Sequence, residues 1–565
     1  MSKKAIMSVV GCLLMLALLP GIGEAAKEKP QYGGVLTMAL QTEPVGYDAW
    51  NSIYSAPFVS MIYEQLAIGD FFAGKDTWPF YGWLMPKSLW RGHLAESWES
   101  PDQATAIFHL RKGVRFQDLP PVNGRELVAD DVVFTFNRNR SEKSPARGRS
   151  ALKSLKSVKA LDRYTVEFKF DPPHVEMWQL LRRCYIVPHE LVEQDGDLAN
   201  PKRAVGTGPF MVDEIVSGSS MKFKKNPNYW GKNPQTGDRL PYLDGCELLI
   251  ISDESTRIAA LRTGKVDALD RRPWLNTVKA KSLMKTTPEL KYRNIAFERA
   301  VHVVLRNDLK PFSDIRVRQA LSMAIDREVL VRDYYRGYAS YPTWPVPKGW
   351  SHLFIPLAKL PANVRKVYEY NPEAARKLLA EAGYPKGFRT TMLVSNQNAD
   401  YKNTAQIIKE WWKQDLNVDV EIKTLDRGPL ISRLLAHTYE GMLYSQGGLS
   451  TETFGLSWVN QPEDEAKFRM LNVCNVRDPK YNAMYDKIVR TFDDQERFRL
   501  IKEASLYGQE QIWRIDMPLP ELWLFWWPWI KGGYWGQVSL TFASSGEMYK
   551  YFWIDQNLKK EMLGK

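Results

Sequence analysis

The chain has 565 residues, of which 44% are hydrophobic and 25% are charged, and its formal net charge is +12 at pH 7. This length predicts roughly two to four domains, and the composition is typical of a soluble globular protein rather than a disordered one. The positive charge does not indicate a nucleic-acid ligand, because the densest basic run, residues 138–159, lacks interleaved aromatic side chains.

The N-terminus predicts an export signal. A short positive segment precedes an apolar run over Ala5–Leu19, and small residues suited to cleavage follow at Ala25 and Ala26. The run is too short to span a membrane as a helix. We therefore expect residues 1–25 to be a signal peptide and the mature protein to be periplasmic. The alternative is a lipoprotein anchored at Cys12, but the apolar run continues well past that residue.

The first half of the chain contains several predicted strands and one well-marked helix start. Gly33–Leu40 predicts a strand that runs into a turn-rich loop over Gln41–Asp48. Further strands are predicted within Ser97–Leu110 and over Arg163–Phe170, where apolar and polar residues alternate as in a sheet with one exposed face. Acidic residues at the start of 130–136 predict the first turn of a helix.

The second half alternates helices with strands. A helix predicted over 313–330 has Ser313 as its N-cap and an apolar stripe along one face. Asn371 caps the next helix, and Gly383 ends it. The pattern continues with a strand, a helix and a strand, at Phe388–Ser395, about Tyr401–Leu416 and Val418–Leu425. Such alternation is typical of an α/β lobe in which helices cover a sheet.

The chain lacks the motifs of the common hydrolases and metalloenzymes. Gly-x-Ser-x-Gly is absent, and His189-Glu-Leu-Val-Glu193 has a glutamate where a zinc protease has its second histidine. Gly206-Thr-Gly208 begins like a dinucleotide loop, but Met211 occupies the place of the third glycine. The seven histidines are scattered. We therefore expect no enzyme activity, no cofactor and no metal site. Three cysteines remain after signal removal, so at most one disulfide is expected.

Several short motifs together resemble a known family. The predicted helix carries Phe312-Ser-Asp-Ile-Arg-Val-Arg-Gln-Ala-Leu321, followed by Ala324-Ile-Asp-Arg327. Other matching motifs are Leu94-Ala-Glu-Ser-Trp98, Ala129-Asp-Asp-Val-Val-Phe-Thr-Phe136, Gly206-Thr-Gly-Pro-Phe210, Asn226-Pro-Asn-Tyr-Trp230 and Arg262-Thr-Gly-Lys-Val-Asp267. In order and spacing they resemble the family 5 extracellular solute-binding proteins, which include the dipeptide, oligopeptide and nickel binding proteins of ABC importers. The resemblance extends over nearly the whole mature chain.

The resemblance implies an α/β fold of the two-lobe periplasmic-binding-protein type, with two chain crossings and a subdomain inserted in the first lobe. The expected segments are the signal peptide at 1–25, lobe I at 26–59, its inserted subdomain at 60–197, the second part of lobe I at 198–295, lobe II at 296–517, and a C-terminal return to lobe I at 518–565. The crossings are expected near Arg293–Val301 and Asp516–Glu521.

The resemblance also implies a function: capture of a small solute between the lobes and its delivery to the permease subunits of an ABC importer in the inner membrane, by a monomer. Aromatic and polar residues in loops and crossings are the candidates for the lining of the cleft. They are Glu43, Tyr47, Trp50, Tyr341, Trp344, Tyr444, Gln446, Trp458, Trp526 and Trp527. For any single aromatic residue, core packing is the more common role.

One segment departs from the family pattern. Peptide-binding members have a Trp-x-x-Asp-like motif whose carboxylate pairs with the amino terminus of the peptide, whereas this chain has Tyr444-Ser-Gln-Gly-Gly448, with no acid before Glu452. A buried ammonium without a carboxylate is costly. We therefore expect an oligosaccharide or another polyhydroxylated or aromatic solute, with a peptide as the alternative. Outside this class of function, the alternatives are a secreted hydrolase and a sensory adaptor.

Overall fold

The structure is a computed structural model, and it describes only part of the chain. The described residues are 28–44, 47–48, 56–70, 72, 87–141, 154–269, 275, 277–295, 299–342, 344–346, 348, 350, 352–396, 399–448, 456, 472–532 and 548–564. The expected signal peptide and the predicted site residues Trp50 and Trp458 lie outside them. Within the described ranges, no helix has the length and apolar character needed to cross a membrane.

The described strands and helices alternate along much of the chain. The strands are β1 (Val35–Leu40), β2 (Glu64–Gln65), β3 (Ala67–Gly69), β4 (Trp90–Gly92), β5 (Ala95–Asp102), β6 (Thr105–Leu110), β7 (Leu155–Asp162), β8 (Thr165–Phe170), β9 (Tyr185–Ile186), β10 (Phe210–Val216), β11 (Ser220–Lys225), β12 (Gly245–Ile250), β13 (Ala268–Leu269), β14 (Lys291–Ile295), β15 (Arg299–Leu305), β16 (Ala339–Ser340), β17 (Arg389–Ser395), β18 (Asp419–Leu425), β19 (Met442–Gly448), β20 (Arg514–Met517), β21 (Leu519–Pro520), β22 (Leu522–Trp526), β23 (Ile530–Lys531) and β24 (Trp553–Ile554). The helices are α1 (Ala56–Ile62), α2 (Ala129–Arg140), α3 (Met177–Arg183), α4 (His189–Asp195), α5 (Glu254–Arg262), α6 (Thr277–Thr286), α7 (Ile315–Met323), α8 (Arg327–Val329, continued by a π-helical turn over Leu330–Tyr334), α9 (Ala362–Arg365), α10 (Pro372–Glu381), α11 (Ala399–Leu416), α12 (Arg427–Ala436), α13 (Pro479–Arg490), α14 (Asp494–Gln511) and α15 (Gln556–Leu563).

Helix starts follow the capping residues of the sequence. Asn371 accepts a hydrogen bond from the backbone N–H of Ala374 at 3.0 Å and so caps α10, as predicted. The prediction for α7 was wrong by one residue, because Asp314 rather than Ser313 caps the helix. That helix also ends at Met323, and Asp326 caps the next one by accepting from Val329 N at 2.9 Å. The single helix expected over 313–330 is therefore two shorter ones.

Two large mixed sheets organise the molecule. One has seven strands in the order β10-β11-β12-β1-β13-β22-β14, and the other has five in the order β18-β17-β19-β15-β20. A four-stranded antiparallel sheet, β5-β6-β8-β7, lies within the region expected to be the inserted subdomain. In β8, Val166, Phe168 and Phe170 are buried, which confirms the predicted alternation.

The strand directions bring one edge of each large sheet to the chain crossings. In the seven-stranded sheet, β1 runs parallel to β12 and β13, and β22 is antiparallel to both β13 and β14. Strands β1, β12, β13 and β14 therefore all end at one edge, where β22 begins. In the five-stranded sheet, β17, β18 and β19 are parallel, and β15 begins where β19 ends. Since only residues 296–298 separate β14 from β15, the carboxyl edges of the two sheets meet there. The lobe boundaries given above stay a prediction.

Each sheet has its own core. Residues of the seven-stranded sheet share one hydrophobic cluster with the C-terminal residues Trp529, Phe552 and Trp553. The two faces of the five-stranded sheet belong to separate clusters, since β15 places Val303 in one and Val304 in the other. Cys184, Cys246 and Cys474 are all buried and unpaired. The described cysteines therefore form no disulfide.

Candidate functional site

The carboxyl edges of parallel strands are where α/β folds usually bind ligands. On the seven-stranded sheet, the loop after β1 carries Glu43 and Tyr47 at this edge. The Tyr47 hydroxyl donates to Glu43 Oε1 at 2.5 Å, and Ser217 Oγ and Gly218 N donate to Oε2 at 2.9 and 2.7 Å. The hydroxyl of Tyr47 is the main reason that the pKa of Glu43 lies below its usual range. Glu43 is thus an anion that fixes the loop.

An ion pair between Arg138 and Asp48 holds the same loop. Arg138 donates from Nη1 and Nη2 to the two carboxylate oxygens of Asp48, at 3.2 and 2.5 Å. Because Arg138 lies on α2, this pair ties the loop after β1 to that helix. The Tyr47 ring also packs edge-to-face against Phe58 of α1, with centroids 4.8 Å apart. These contacts hold Tyr47 against α1 and Asp48 against α2.

The five-stranded sheet carries a group of tyrosines at its edge, which we name the tyrosine cluster: Tyr334, Tyr335, Tyr401 and Tyr444. The ring centroids of Tyr401 and Tyr444 lie 5.1 Å apart, and those of Tyr334 and Tyr335 lie 4.8 Å apart. Tyr444 is fully buried, whereas Tyr334 is half-buried. The cluster brings together chain segments that are more than 100 residues apart.

Asp400 lies beside this cluster, in the first turn of α11. It accepts a hydrogen bond from the Tyr334 hydroxyl at 3.0 Å. Its backbone carbonyl accepts from Thr404 Oγ1 at 2.7 Å. Thr404 Oγ1 in turn lies 2.8 Å from the Tyr444 hydroxyl. Burial raises the pKa of Tyr444, and the nearby Asp400 carboxylate raises it further. The half-buried Asp400 thus supplies an acid near Tyr444.

Asp400 is not among the residues predicted from the sequence, because no local motif links it to Tyr444. One signal was present. A helix that follows a parallel strand begins at the carboxyl edge of the sheet, and Asp400 is the second residue of such a helix after β17.

Three of the predicted site residues are buried in the cores. Trp344 is 2% exposed, and its backbone N–H donates to Asp516 Oδ2 at 3.1 Å. Trp527 stacks on Trp529 with centroids 4.5 Å apart, and its Nε1 donates to the carbonyl of Leu261 at 2.7 Å. Tyr444 is the third. Their burial favours packing roles, and solute contact by them stays a prediction.

The other predicted residues lie at separate places. Trp526 is half-buried on β22, opposite Ala268 and Lys291. Gln446 lies on β19 opposite Val301, and its side chain is outside the described part of the structure. Tyr341 lines an open cavity of about 410 Å³, together with Glu328, Val331, Arg332, Arg336 and Gly337. Glu43 and Tyr47 remain the predicted pair that is in direct contact.

The segment that contains Tyr338 and β16 contacts the chain crossing near Asp516–Glu521. Strand β16 pairs with β21, and the backbone N–H of Glu521 donates to the carbonyl of Tyr338 at 2.9 Å. The Tyr338 ring lies edge-to-face with Trp523 of the seven-stranded sheet, at 5.3 Å. The ammonium of Lys281 lies 4.8 Å from the centroid of Tyr338 and 5.3 Å from that of Trp523. These contacts link the segment before β16 to the seven-stranded sheet.

One cluster contains residue types that bind metals, but Arg125 pairs with its carboxylates. Asp131, His189 and Glu190 lie close together, but Arg125 donates to both oxygens of Asp131 at 2.9 and 2.6 Å. Its Nη2 also donates to Glu190 Oε2 at 2.8 Å. The group is therefore an ion-pair network around a guanidinium, and its carboxylates do not form an open set of metal ligands.

The chain is similar to several known binding proteins. Residues 90–464 match the family model described as "Bacterial extracellular solute-binding proteins, family 5 Middle". Heme-binding protein A of Haemophilus influenzae is 28% identical, over 74% of this chain and 77% of that protein. Di/tripeptide-binding protein 1 of Pseudomonas aeruginosa is 26% identical, over 74% of this chain and 78% of that protein.

A solved structure has the same fold. The periplasmic binding protein DppA from Helicobacter pylori, in complex with peptide STSA, aligns with a TM-score of 0.76 at 23% identity, over 93% of this chain and 99% of that chain. This alignment confirms the expected α/β fold with two lobes.

Proposed function

Since this chain belongs to the bacterial extracellular solute-binding proteins, family 5, we propose that its solute binds where the carboxyl edges of the two large sheets meet. The protein captures the solute there and presents it to the permease of an ABC importer. The observation that carries the proposal is the topology: both crossings lie at this edge, so a solute held there contacts both lobes. It favours the closed state through contacts that the open state lacks.

A thermal-shift screen of the mature protein with sugars, peptides and aromatic acids tests this proposal. A solute at 100 times its dissociation constant is expected to add about 2.7 kcal/mol to the free energy of unfolding. The same solute is expected to reduce the radius of gyration in small-angle scattering, because the lobes close. A solute that stabilises the protein without closing it would place the binding site elsewhere.

For the solute, we propose an oligosaccharide or another polyhydroxylated compound. The hydroxyl of Tyr334 and the amide of Asn403, which donates to it at 3.2 Å, are half-exposed or exposed groups that suit sugar hydroxyls. Isothermal titration calorimetry with di- to tetrasaccharides is expected to detect binding. Tight binding of dipeptides together with no response to any sugar would contradict this assignment.

A peptide is the second candidate, and Asp400 is the observation that favours it. Its carboxylate lies beside Tyr444, in the part of the fold where the sequence lacks the expected acid. Aromatic rings around a carboxylate suit a cationic group, because both attract positive charge. We therefore propose that a peptide, if bound, directs its amino terminus to Asp400.

Substitution of Asp400 separates the two candidates. Asp400→Asn is expected to weaken dipeptide binding about 10-fold to 100-fold, because a hydrogen bond to a charged group contributes roughly 1.5–3 kcal/mol. The matched control is Asp415→Asn on the same helix, where the carboxylate accepts from the exposed Tyr370 hydroxyl at 2.9 Å. Equal dipeptide affinities in the two variants would show that Asp400 does not bind the amino terminus of the peptide.

We propose further that the mature protein is a periplasmic monomer without enzyme activity, released by cleavage near Ala25 or Ala26. N-terminal sequencing of the exported protein tests the cleavage, and light scattering tests the oligomeric state. A lipid attached at Cys12 would contradict cleavage near Ala25 or Ala26 and would show that the protein is a lipoprotein.

A further inference from the structure

Arg514 is a buried cation with unsatisfied donors. It lies on β20 and is 3% exposed. Its Nε and Nη2 atoms have no hydrogen-bond partner in the part of the chain that the structure describes. The ring of Trp344 covers the guanidinium, with the ring centroid 4.5 Å from Cζ. Unpaired donors on a buried guanidinium are costly, so a group that satisfies them is expected.

Arg327 is a second buried guanidinium near β20, and its donors do have hydrogen-bond acceptors. It is 1% exposed, and its guanidinium donates to Asp516 O, Ser322 O and Ser322 Oγ, each at 2.9 Å. Every side of that guanidinium therefore meets a protein acceptor. Arg514 lies two residues from Asp516 on the same strand, yet it has no such set of acceptors for Nε and Nη2.

Two buried guanidinium groups share the carboxylate of Asp516. Its carboxylate acts electrostatically on both Arg327 and Arg514. It accepts hydrogen bonds from Trp344 N at 3.1 Å and from the Tyr368 hydroxyl at 3.5 Å, both neutral donors. One carboxylate thus faces two guanidinium groups in this described part of the core. Burial lowers the pKa of Arg514 to about 10, so the group stays charged at neutral pH.

Because two guanidinium groups share one carboxylate, an anion is favoured over a water molecule as the missing partner of Arg514. Water would satisfy the two N–H groups but would leave the charge uncompensated in a medium of low dielectric constant. A guanidinium presents its donors as a planar fork that fits a carboxylate with two parallel hydrogen bonds. The same charged N–H groups attract a halide ion by simple electrostatics. We propose that Arg514 binds a small monovalent anion, a carboxylate or a halide, against the ring of Trp344. This site stands independently of the solute proposed above.

Bromide is the probe for the first test. Crystals of the wild-type protein soaked in sodium bromide are expected to show anomalous density within hydrogen-bond distance of the Arg514 guanidinium. Arg514→Met is expected to abolish that density. Arg499→Met, which removes an exposed guanidinium paired with Glu496 and Glu503, is expected to retain it. If the wild-type protein shows an ordered water and no bromide at Arg514, the proposal is wrong, whether or not the Arg514→Met variant folds.

Acetate tests the carboxylate part of the proposal. Sodium acetate added at constant sodium bromide is expected to lower the anomalous peak at Arg514 by more than half, because the carboxylate competes for the same fork. Arg514→Lys is expected to bind bromide more weakly than the wild type, since a lysine offers a point charge without the planar fork. A peak at Arg514 that acetate leaves unchanged would overturn carboxylate binding.

Discussion

Glu64 is a fully buried carboxylate that joins three distant parts of the chain. It accepts hydrogen bonds from the Tyr229 hydroxyl at 2.6 Å and from Trp230 Nε1 at 2.8 Å. His93 Nε2 lies 2.9 Å from Glu64 Oε1, and the Lys550 ammonium lies 3.2 Å from the same ring nitrogen. The network therefore connects the C-terminal segment to three earlier parts of the chain, at Glu64, His93 and Tyr229–Trp230.

The geometry assigns His93 to its neutral form. Nε2 lies 2.9 Å from Glu64 Oε1, which favours the proton on that nitrogen, while Nδ1 is buried and has no hydrogen-bond partner among the described residues. A second proton on Nδ1 would be buried without an acceptor, next to the Lys550 charge. Burial is the main reason that the pKa of His93 is lowered, and Lys550 adds to it, although Glu64 acts in the opposite direction.

This assignment predicts a loss of stability in mild acid. The unfolded chain takes up a proton on His93 below a pH of about 6.5, whereas the folded chain resists it. The free energy of unfolding is therefore expected to fall by up to about 1.4 kcal/mol per pH unit below that value. The measurement is urea unfolding of the wild type between pH 5 and 8.

His93→Gln is expected to reduce this pH dependence while lowering stability at every pH. The control is His109→Gln, whose half-exposed ring lies at the surface of the four-stranded sheet, and it is expected to keep the wild-type slope. A wild-type slope that survives in His93→Gln would show that another group causes the acid sensitivity.

At the scale of single elements, helix α14 packs against Trp344 through a glycine. A Cβ atom added to Gly508 would lie 2.4 Å from Trp344 Cη2, so the close contact requires glycine at this position. Gln509 in the next position donates from Nε2 to the Trp344 carbonyl at 3.0 Å. Helix α14 thus holds the tryptophan that also covers Arg514.

Replacing Gly508 with alanine is expected to destabilise the protein. Alanine normally stabilises a helix interior by roughly 0.5–1 kcal/mol relative to glycine, but overpacking costs about 1–3 kcal/mol. The matched control is Gly428→Ala in α12, where an added Cβ meets no atom within 4 Å. Urea unfolding is expected to show a loss for Gly508→Ala and no loss for the control. A gain in both variants would mean that Trp344 moves aside without cost.

The same elements show what the sequence can and cannot predict. The cap at Asn371 and the alternation in β8 depend on residues a few positions apart, so they were predicted correctly. The cap of α7 was misplaced because Ser313 and Asp314 are both good caps and the local pattern does not choose between them. Asp400 beside Tyr444 and Trp344 against Arg514 depend on the packing of distant segments, which no local pattern reveals.

At the scale of the whole molecule, contacts between the lobes occur both near the crossings and far from them. Near the crossings, Tyr338 packs on Trp523 and the ammonium of Lys281. Farther away, the backbone N–H of Val175 donates to the carbonyl of Val489 at 2.9 Å, which joins the segment between β8 and α3 to α13. The relative position of the lobes therefore depends on these contacts as well as on the crossings.

Tyr338→Ala is expected to release the lobes from one another. The radius of gyration without solute is expected to increase, and affinity for the solute is expected to fall, because less of the protein occupies the closed state. The control is Tyr292→Ala, which removes a half-exposed tyrosine that contacts Trp523 from the same sheet. Identical scattering from Tyr338→Ala and the wild type would show that the Tyr338 contact does not set the lobe position.

The position of β22 between β13 and β14 determines the order in which the sheets can fold. The five-stranded sheet uses a continuous stretch from β15 to β20 and is complete once residue 517 has been made. The seven-stranded sheet contains β1, yet β22, the second strand from one of its edges, is made only after the five-stranded sheet is complete. Such long-range pairing is slow to form. The seven-stranded sheet therefore begins earlier in the chain than the five-stranded sheet but is completed after it, so its earlier strands wait for β22 while the chain is being made.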